Sequence, residues 1–302
     1  MLARTKLAMS RLLPHRARLP LFSITHFMTY NPVLQRLVQA PTRNIISSPS
    51  SIKYQSTMGE LLQNSSVSSR ELFSYTSGRY LYNEKLRLAE RYVELSVEAL
   101  QKVAAQSVTR DRVVDIRKLA EGGFNRVLLL TMEDGLEVIV KIPFSISVPR
   151  RLATESEVAT LDFLRSKGIP VPQVYAWSSH AENDVGCEYI VMEKAAGKPL
   201  KENWFDLTYK EQIRLATSYV DIERKLFSIP FGSYGSIYYK DSLPQNLQAN
   251  LYATRVEDVD RDADRFCIGP VADYMFWRGK RAQLAINRGP CELLLRPETR
   301  SD

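Results

Sequence analysis

The stretch EGGFNRVLLLTMEDGLEVIVKIP, from Glu121 to Pro143, carries the residue types of an anion grip. Gly122 and Gly123 precede a strand-like run, and glycines there permit backbone conformations and a close approach that side chains would block. Alternation along the second run sets Ile139 and Lys141 on one face and Val138, Val140 and Ile142 on the other. A lysine on a buried strand is costly without a counter-charge or an anionic ligand. The next helical pattern supplies a carboxylate, because Glu157 shares a side with the apolar residues Leu161 and Leu164. Each residue taken alone has a plainer reading: a structural turn, a lysine reaching solvent at a strand end, a charge on a helix flank. Together they predict an ion pair beside a glycine loop.

The elements that must position these groups are legible around them. Val127 to Met132 and Leu136 to Ile142 read as a hairpin closed by the turn Glu133-Asp134-Gly135. Residues 154–168 read as a helix, with Thr154 as N-cap, Gly168 as terminator and Glu155 turned toward Asp162 and solvent. GIPVPQVYAW from Gly168 and CEYIVMEKAAGKPL from Cys187 each contain a further strand. Upstream, residues 80–106 read as one helix with an apolar stripe of Leu86, Ala89, Val93, Val97, Leu100 and Val103, expected to pack on the domain downstream of it. Toward the carboxy terminus, a helix bearing Ile213, Tyr219, Val220, Leu226 and Phe227 should end before Pro230, and Tyr274, Phe276 and Trp277 read as interface or core aromatics. The acidic run VEDVDRDADR at 256–265 lacks the glycine and terminal glutamate of a calcium loop and is interrupted by Arg261 and Arg265. It reads as a solvated charge run.

Composition narrows the class. The chain has 302 residues and a net charge of +7. Of its 41 Lys and Arg residues, eight fall before Glu60, where there is no acidic residue at all, leaving 33 against 34 acidic residues in the body. A nearly neutral body gives no electrostatic case for binding nucleic acid. No stretch has the length and apolarity of a membrane-spanning helix. Cys187, Cys267 and Cys291 are far apart and fit no metal spacing, so they read as buried or incidental thiols. The acid-free leader, with arginines interleaved among Leu2, Leu12, Leu13 and Leu19, has the composition of a mitochondrial transit peptide. A basic tail, or a true start at Met28 or Met58, are the alternatives.

The order of glycine hairpin, strand lysine, helix glutamate, GIPVP and YIVMEKAAGKPL resembles the amino-terminal lobe of the aminoglycoside-phosphotransferase-like family. Together with the leader, GSYGSIYY at 232–239 and RFCIGPVADYMFWRGKRAQLAINRGP at 265–290 are similar to the fungal mitochondrial phosphotransferase-like proteins named for altered inheritance of mitochondria. The resemblance implies an α+β, protein-kinase-like two-lobed fold with a complete amino lobe, an antiparallel sheet plus helix, and an incomplete, mostly helical carboxy lobe. It divides the chain into a transit peptide (1–59), a linker (60–75), an amino lobe with its preceding helix and hinge (76–200) and a partial carboxy lobe (201–302). It implies a matrix protein that binds ATP. Gly122, Gly123, Phe124 and Asn125 would form the phosphate-covering loop, Lys141 would contact the α- and β-phosphates, and Glu157 would orient it. Ile139 would floor the adenine and Met192 would back the pocket, with the Glu193 carbonyl and the Ala195 amide meeting the adenine edge.

The sequence departs from the family pattern at the transfer step. That step uses a His-Gly-Asp-x-x-x-x-Asn loop and a later Asp that hold the acceptor and magnesium. The histidines here are His15, His26 and His180, and no His-Gly-Asp occurs. No catalytic or metal-binding residue is therefore assigned, and magnesium is expected only with a further carboxy-terminal part. CELLLRPETRSD at the end reads as a departure from the family, as in a frameshift, splice variant or gene-model error. The competing expectations are a phosphotransferase-like protein that binds ATP, a non-catalytic nucleotide- or protein-binding module whose partner covers the incomplete lobe, and a truncated product without function. The acceptor is not legible.

Overall fold

Alternating apolar residues build a five-stranded sheet at the core of the first part of the chain. The computed structural model describes residues 69–253 and 257–292. The leader, residues 60–68 of the expected linker and the terminal segment after Glu292 lie outside these; the rest of the linker contains a short helix, Ser69–Phe73, whose Leu72 and Phe73 are buried in the core. Five antiparallel strands, β1 (Val113–Glu121), β2 (Asn125–Met132), β3 (Glu137–Pro143), β4 (Val174–Ser178) and β5 (Tyr189–Glu193), align in the order β1-β2-β3-β5-β4. The β2–β3 hairpin turns at Gly135, whose φ of +84° lies in the left-handed region that suits glycine. Strand β1 is an addition to the elements expected from the sequence. Its residues VVDIRKLAE leave Val114, Asp115, Arg117 and Leu119 exposed and turn Lys118 and Glu121 inward, and its presence makes Gly122-Gly123-Phe124 the tip of a β1–β2 hairpin.

The two faces of the sheet have different neighbours. Leu128, Leu130 and Met132 of β2 and Val138, Val140 and Ile142 of β3 are fully buried against α1 (Val97–Ser107), through its Leu100, Ala104 and Ala105. The predicted single helix at 80–106 is instead two, Glu84–Ala89 and α1. Ser96 interrupts it by capping α1, accepting a hydrogen bond from the Ala99 amide at 3.2 Å. The extended residues between them pair elsewhere: Val93 N donates to Phe73 O and Ser96 N to Val185 O. Leu86 of the predicted stripe is consequently exposed.

The other face receives α2 (Leu152–Ser166). Gly168 ends it with a φ of +66°. Thr154 is not its cap. It sits inside the first turn, buried, and donates to Glu188 at 2.7 Å. Glu155 is not solvated either, being 2% exposed and accepting from Arg151 Nε at 2.7 Å and Ser179 Oγ at 2.9 Å. The reason is that α2 is covered on both sides. Val158 packs on the sheet with Ile190 and Met192, while Ala159, Phe163 and Leu164 pack on Ile237, Phe266 and Ile268 of the second part of the chain.

That second part holds α3 (Tyr209–Phe227), two short antiparallel ladders and 3-10 turns. Helix α3 starts in a capping box of Thr208 and Glu211 and ends ahead of Pro230. Only Leu226 of it is buried; Tyr209, Ile213, Tyr219 and Phe227 are exposed. The ladders, β6 (Ser233–Tyr234) with β9 (Cys291–Glu292) and β7 (Ser236–Tyr239) with β8 (Phe266–Gly269), are likewise additions to the expected, mostly helical content. The acidic run is more than a solvated stretch. Asp262 is 4% exposed, accepts from Tyr252 Oη at 2.7 Å and pairs with Lys167 beyond the end of α2. Asp258 holds the amides of Asp262 and Ala263. Cys187 and Cys267 are buried, Cys291 partly so, and all are free.

Candidate functional site

The lysine and the glutamate meet. Lys141, on the β3 face opposite Val140 and Ile142, donates Nζ to both carboxylate oxygens of Glu157, at 2.6 Å to Oε1. Both side chains are mostly buried, 12% and 21% exposed. The pair forms because β3 aims Lys141 away from the α1 core, while α2, packed over β4 and β5 on that face, brings Glu157 to it. A charge-assisted pair in such a partly desolvated cleft is among the stronger polar contacts available to a protein.

Around the pair lies a cleft lined by Phe124, Asn125, Pro143, Ser147, Thr154, Glu188 and, from the second part of the chain, Tyr274. Of the residues singled out in the sequence, it unites Phe124, Asn125, Lys141 and Glu157. Ile139 and Met192 do not line it. They are register partners on β3 and β5 and lie next to it in an apolar cluster with Val158, Ile190, Trp177 and Tyr239. Glu193 closes β5 with its carboxylate accepting from the Gln173 amide at 3.0 Å, and Ala195 is exposed in the turn after it. Neither Gly122 nor Gly123 adopts a left-handed φ, and a Cβ added at Gly123 would meet no atom within 4 Å. Open space, rather than backbone strain, is what the glycine provides at 123.

The hairpin tip is held from behind by groups that sequence reasoning misses. Arg126 points to the core face and is fully buried with Glu121, Nε to Oε1 at 3.0 Å. Its Nη2 donates to Arg91 O at 3.1 Å, and its guanidinium lies 5.4 Å from the centre of the Phe144 ring. Glu121 also accepts from the Thr76 amide at 2.7 Å and from Lys118 Nζ at 3.2 Å. Burial pushes the Glu121 carboxyl up, but the Thr76 amide, Arg126 and Lys118 outweigh it and hold the group below its ordinary value. At the tip itself, Phe124 O accepts from Phe144 N and Ser147 Oγ. The signal for Arg126 is present in the sequence, since it falls in phase with Leu128 and Leu130. Tyr274 gives none, because its position at the cleft depends on a distant part of the chain.

Among the described residues no group of three or more His, Cys, Asp or Glu side chains is arranged to hold a metal ion, and no helix is long and apolar enough to cross a membrane. The cleft thus presents one cation, Lys141, and one side-chain amide, Asn125, beside the carboxylates of Glu157 and Glu188.

Residues 115–265, half of the chain, match the phosphotransferase enzyme family. A subtelomeric hrmA-associated cluster protein of Aspergillus fumigatus is 44% identical over 185 residues, covering 61% of this chain and 34% of that protein. Altered inheritance of mitochondria protein 9, mitochondrial, of Yarrowia lipolytica is 30% identical over 241 residues, covering 73% of this chain and 42% of its own length. The chain thus spans well under half the length of these relatives. A solved structure described as the GDP and kanamycin complex of APH(2'')-IIia superposes with a TM-score of 0.34 at 18% identity, over 44% of this chain and 42% of that one, too slight a likeness to carry weight.

Proposed function

We propose, from the premise that this chain belongs to the phosphotransferase enzyme family, that its sheet-and-helix lobe binds ATP with the phosphates against Lys141. The observation that carries the reading is the Lys141–Glu157 pair beside the glycine hairpin. In phosphoryl-transfer folds of the kinase type, such a pair presents the lysine to the nucleotide phosphates. Asn125 adds a donor, and the open space at Gly123 lets the backbone tip, with Gly122 and Phe124, lie over the phosphates. Ile139 and Met192 border the adenine in this reading, with the Glu193 carbonyl and the Ala195 amide at its edge.

These 302 residues contain no His-Gly-Asp, and no residue among them is assigned to the transfer step. Transfer to an alcohol acceptor is proposed for the longer protein of which the relatives are examples, and magnesium binding goes with it. The acid-free leader and the mitochondrial name of the Yarrowia relative support a mitochondrial location, in the matrix.

The test is a thermal-shift titration of the full chain with Mg-ATP, comparing the wild type with Lys141→Ala. Ligand that binds only the folded state raises Tm with concentration. Loss of one charge-assisted contact, about 1.5–3 kcal/mol, should weaken binding roughly 10- to 150-fold. No shift for the wild type, or an equal shift for both proteins, refutes the assignment of Lys141.

A further inference from the structure

The structure assigns to the Glu188–Thr154 pair a positioning role: it fixes the alignment in which α2 presents Glu157 to Lys141, and with it the hold of the cleft on phosphate. The phosphate part rests on the nucleotide reading of that cleft. Along β5 and the residues ahead of it, Cys187, Tyr189 and Val191 are buried in the α1 core, whereas Ile190 and Met192 pack on Val158 of α2. Glu188 is in phase with the second set. It therefore shares the face of Lys141, whose register partner on β5 is Ile190. On α2, Thr154 and Glu157 are three residues apart and so lie on one side of the helix. Two polar rungs thus join α2 to the sheet, Thr154 Oγ1 to Glu188 at 2.7 Å and Lys141 Nζ to Glu157 at 2.6 Å. All four residues line the cleft.

Apolar packing cannot set this alignment by itself. The burial of Val158 against Ile190 and Met192 is non-directional and tolerates sliding. A hydroxyl donating to a carboxylate is short and directional, so a slip of α2 by one residue's rise, about 1.5 Å, would break the rung. The start of the helix bears the strain of that alignment. Arg151, the residue that leads into α2, has a φ of +63°, unfavourable for a residue with a side chain. Such a conformation persists where the surroundings over-determine it. Here the Arg151 amide donates to both Glu188 oxygens at 3.4 Å, its Nε to Glu155 at 2.7 Å and its Nη2 to Ser242 O at 3.2 Å. One carboxylate, Glu188, thus receives both the Arg151 amide and the Thr154 hydroxyl, an anion at the helix end where the dipole favours it.

The experiment titrates the full chain by calorimetry with Mg-ATP and with adenosine, which has the base and no phosphate. Separately, without nucleotide, an amine-acylating ester labels the lysines, and peptide mass spectrometry compares the rate at Lys141 with that at Lys118, which is held by Glu121. Thr154→Val should weaken Mg-ATP binding by about two- to tenfold, the lower part of the range for residues coupled through contact. It should leave adenosine affinity unchanged and speed labelling of Lys141 relative to Lys118. Thr154→Ser, which keeps the hydroxyl and guards against a folding defect, should behave as the wild type. Equal losses for Mg-ATP and adenosine, or unchanged Mg-ATP affinity in Thr154→Val, refute the positioning role while the nucleotide reading stands. If no protein binds Mg-ATP although Thr154→Val speeds labelling of Lys141, the alignment stands and the nucleotide reading fails, taking the phosphate part with it. Labelling of Lys141 unchanged in Thr154→Val refutes the alignment whatever the nucleotide does.

Discussion

Glu121→Gln isolates what the buried pair behind the hairpin tip contributes. In the wild type, Glu121 and Arg126 have no exposed side-chain surface, and the Arg126 Nη1 already lacks a partner. The substitution keeps the shape but removes the anion, so a buried guanidinium is left facing a neutral amide. Breaking a buried pair from one side costs about 3–5 kcal/mol. Because Gln can still accept from Thr76, the lower end, about 3 kcal/mol, applies here. For a folded region of 150–250 residues that is a fall in Tm of roughly 6–12 °C. The double variant Glu121→Leu/Arg126→Met removes both charges and should lose less than Glu121→Gln alone, since apolar replacement of a buried pair is often close to neutral. Lys118 is not stranded by it, as its ammonium also reaches Ser74 O at 2.7 Å and Thr76 Oγ1 at 3.1 Å. The sign with pH comes from the depressed Glu121 carboxyl. Its stabilisation is complete above the unfolded value, near 4.3, and is lost as pH falls through the folded value, so the gap between wild type and Glu121→Gln should close in acid. Urea unfolding of the full chain followed by circular dichroism, at neutral and acid pH, measures all of this. A gap under about 1 kcal/mol at neutral pH, a gap that survives acid, or a double variant at least as unstable as the single one would refute the reasoning.

Local geometry sets two further outcomes. Gly235→Ala would put a Cβ 2.2 Å from Gly269 O and 2.6 Å from Ile268 Cγ2, forcing β7 and β8 apart. It should cost at least about 2 kcal/mol in the same urea assay, and a neutral result would mean that the close approach is not required. Thr208→Ala removes the capping box of α3 and should cost about 1 kcal/mol, read as faster amide exchange in the first turn of that helix with the sheet unaffected; unchanged exchange there contradicts the cap.

Periodicity and charge decided how much of the molecule was legible in the sequence. Strands β2 and β3, the face of Lys141 and its approach to Glu157 could all be read, because a two-residue period fixes which side chains share a face. Where one residue answers to two neighbours, the reading falls short. Glu155 looks solvated if a single apolar stripe is assumed for α2, whereas the β7–β8 ladder covers its second side. Strand β1 escapes because its polar and apolar residues do not sort by face: Val114 and Leu119 are exposed, whereas Lys118 and Glu121 are turned inward. Ser96, a cap, reads as an ordinary interior residue, which merges two helices into one. Tyr274 cannot be placed at all, since only the docking of distant segments brings it to Phe124.

The double covering of α2 bears on how substitutions spread. The helix is fastened on its second side by Asp162 to Tyr239 and Arg265, and beyond its end by Lys167 to Asp260 and Asp262. The helix therefore cannot carry Glu157 away from Lys141 without disturbing a ladder far along the chain. The helix acts as a party wall between two rooms. Variation among relatives in the 236–269 ladder should be constrained by the cleft it never touches, and a sequence change there would first be felt as an altered hold on Lys141.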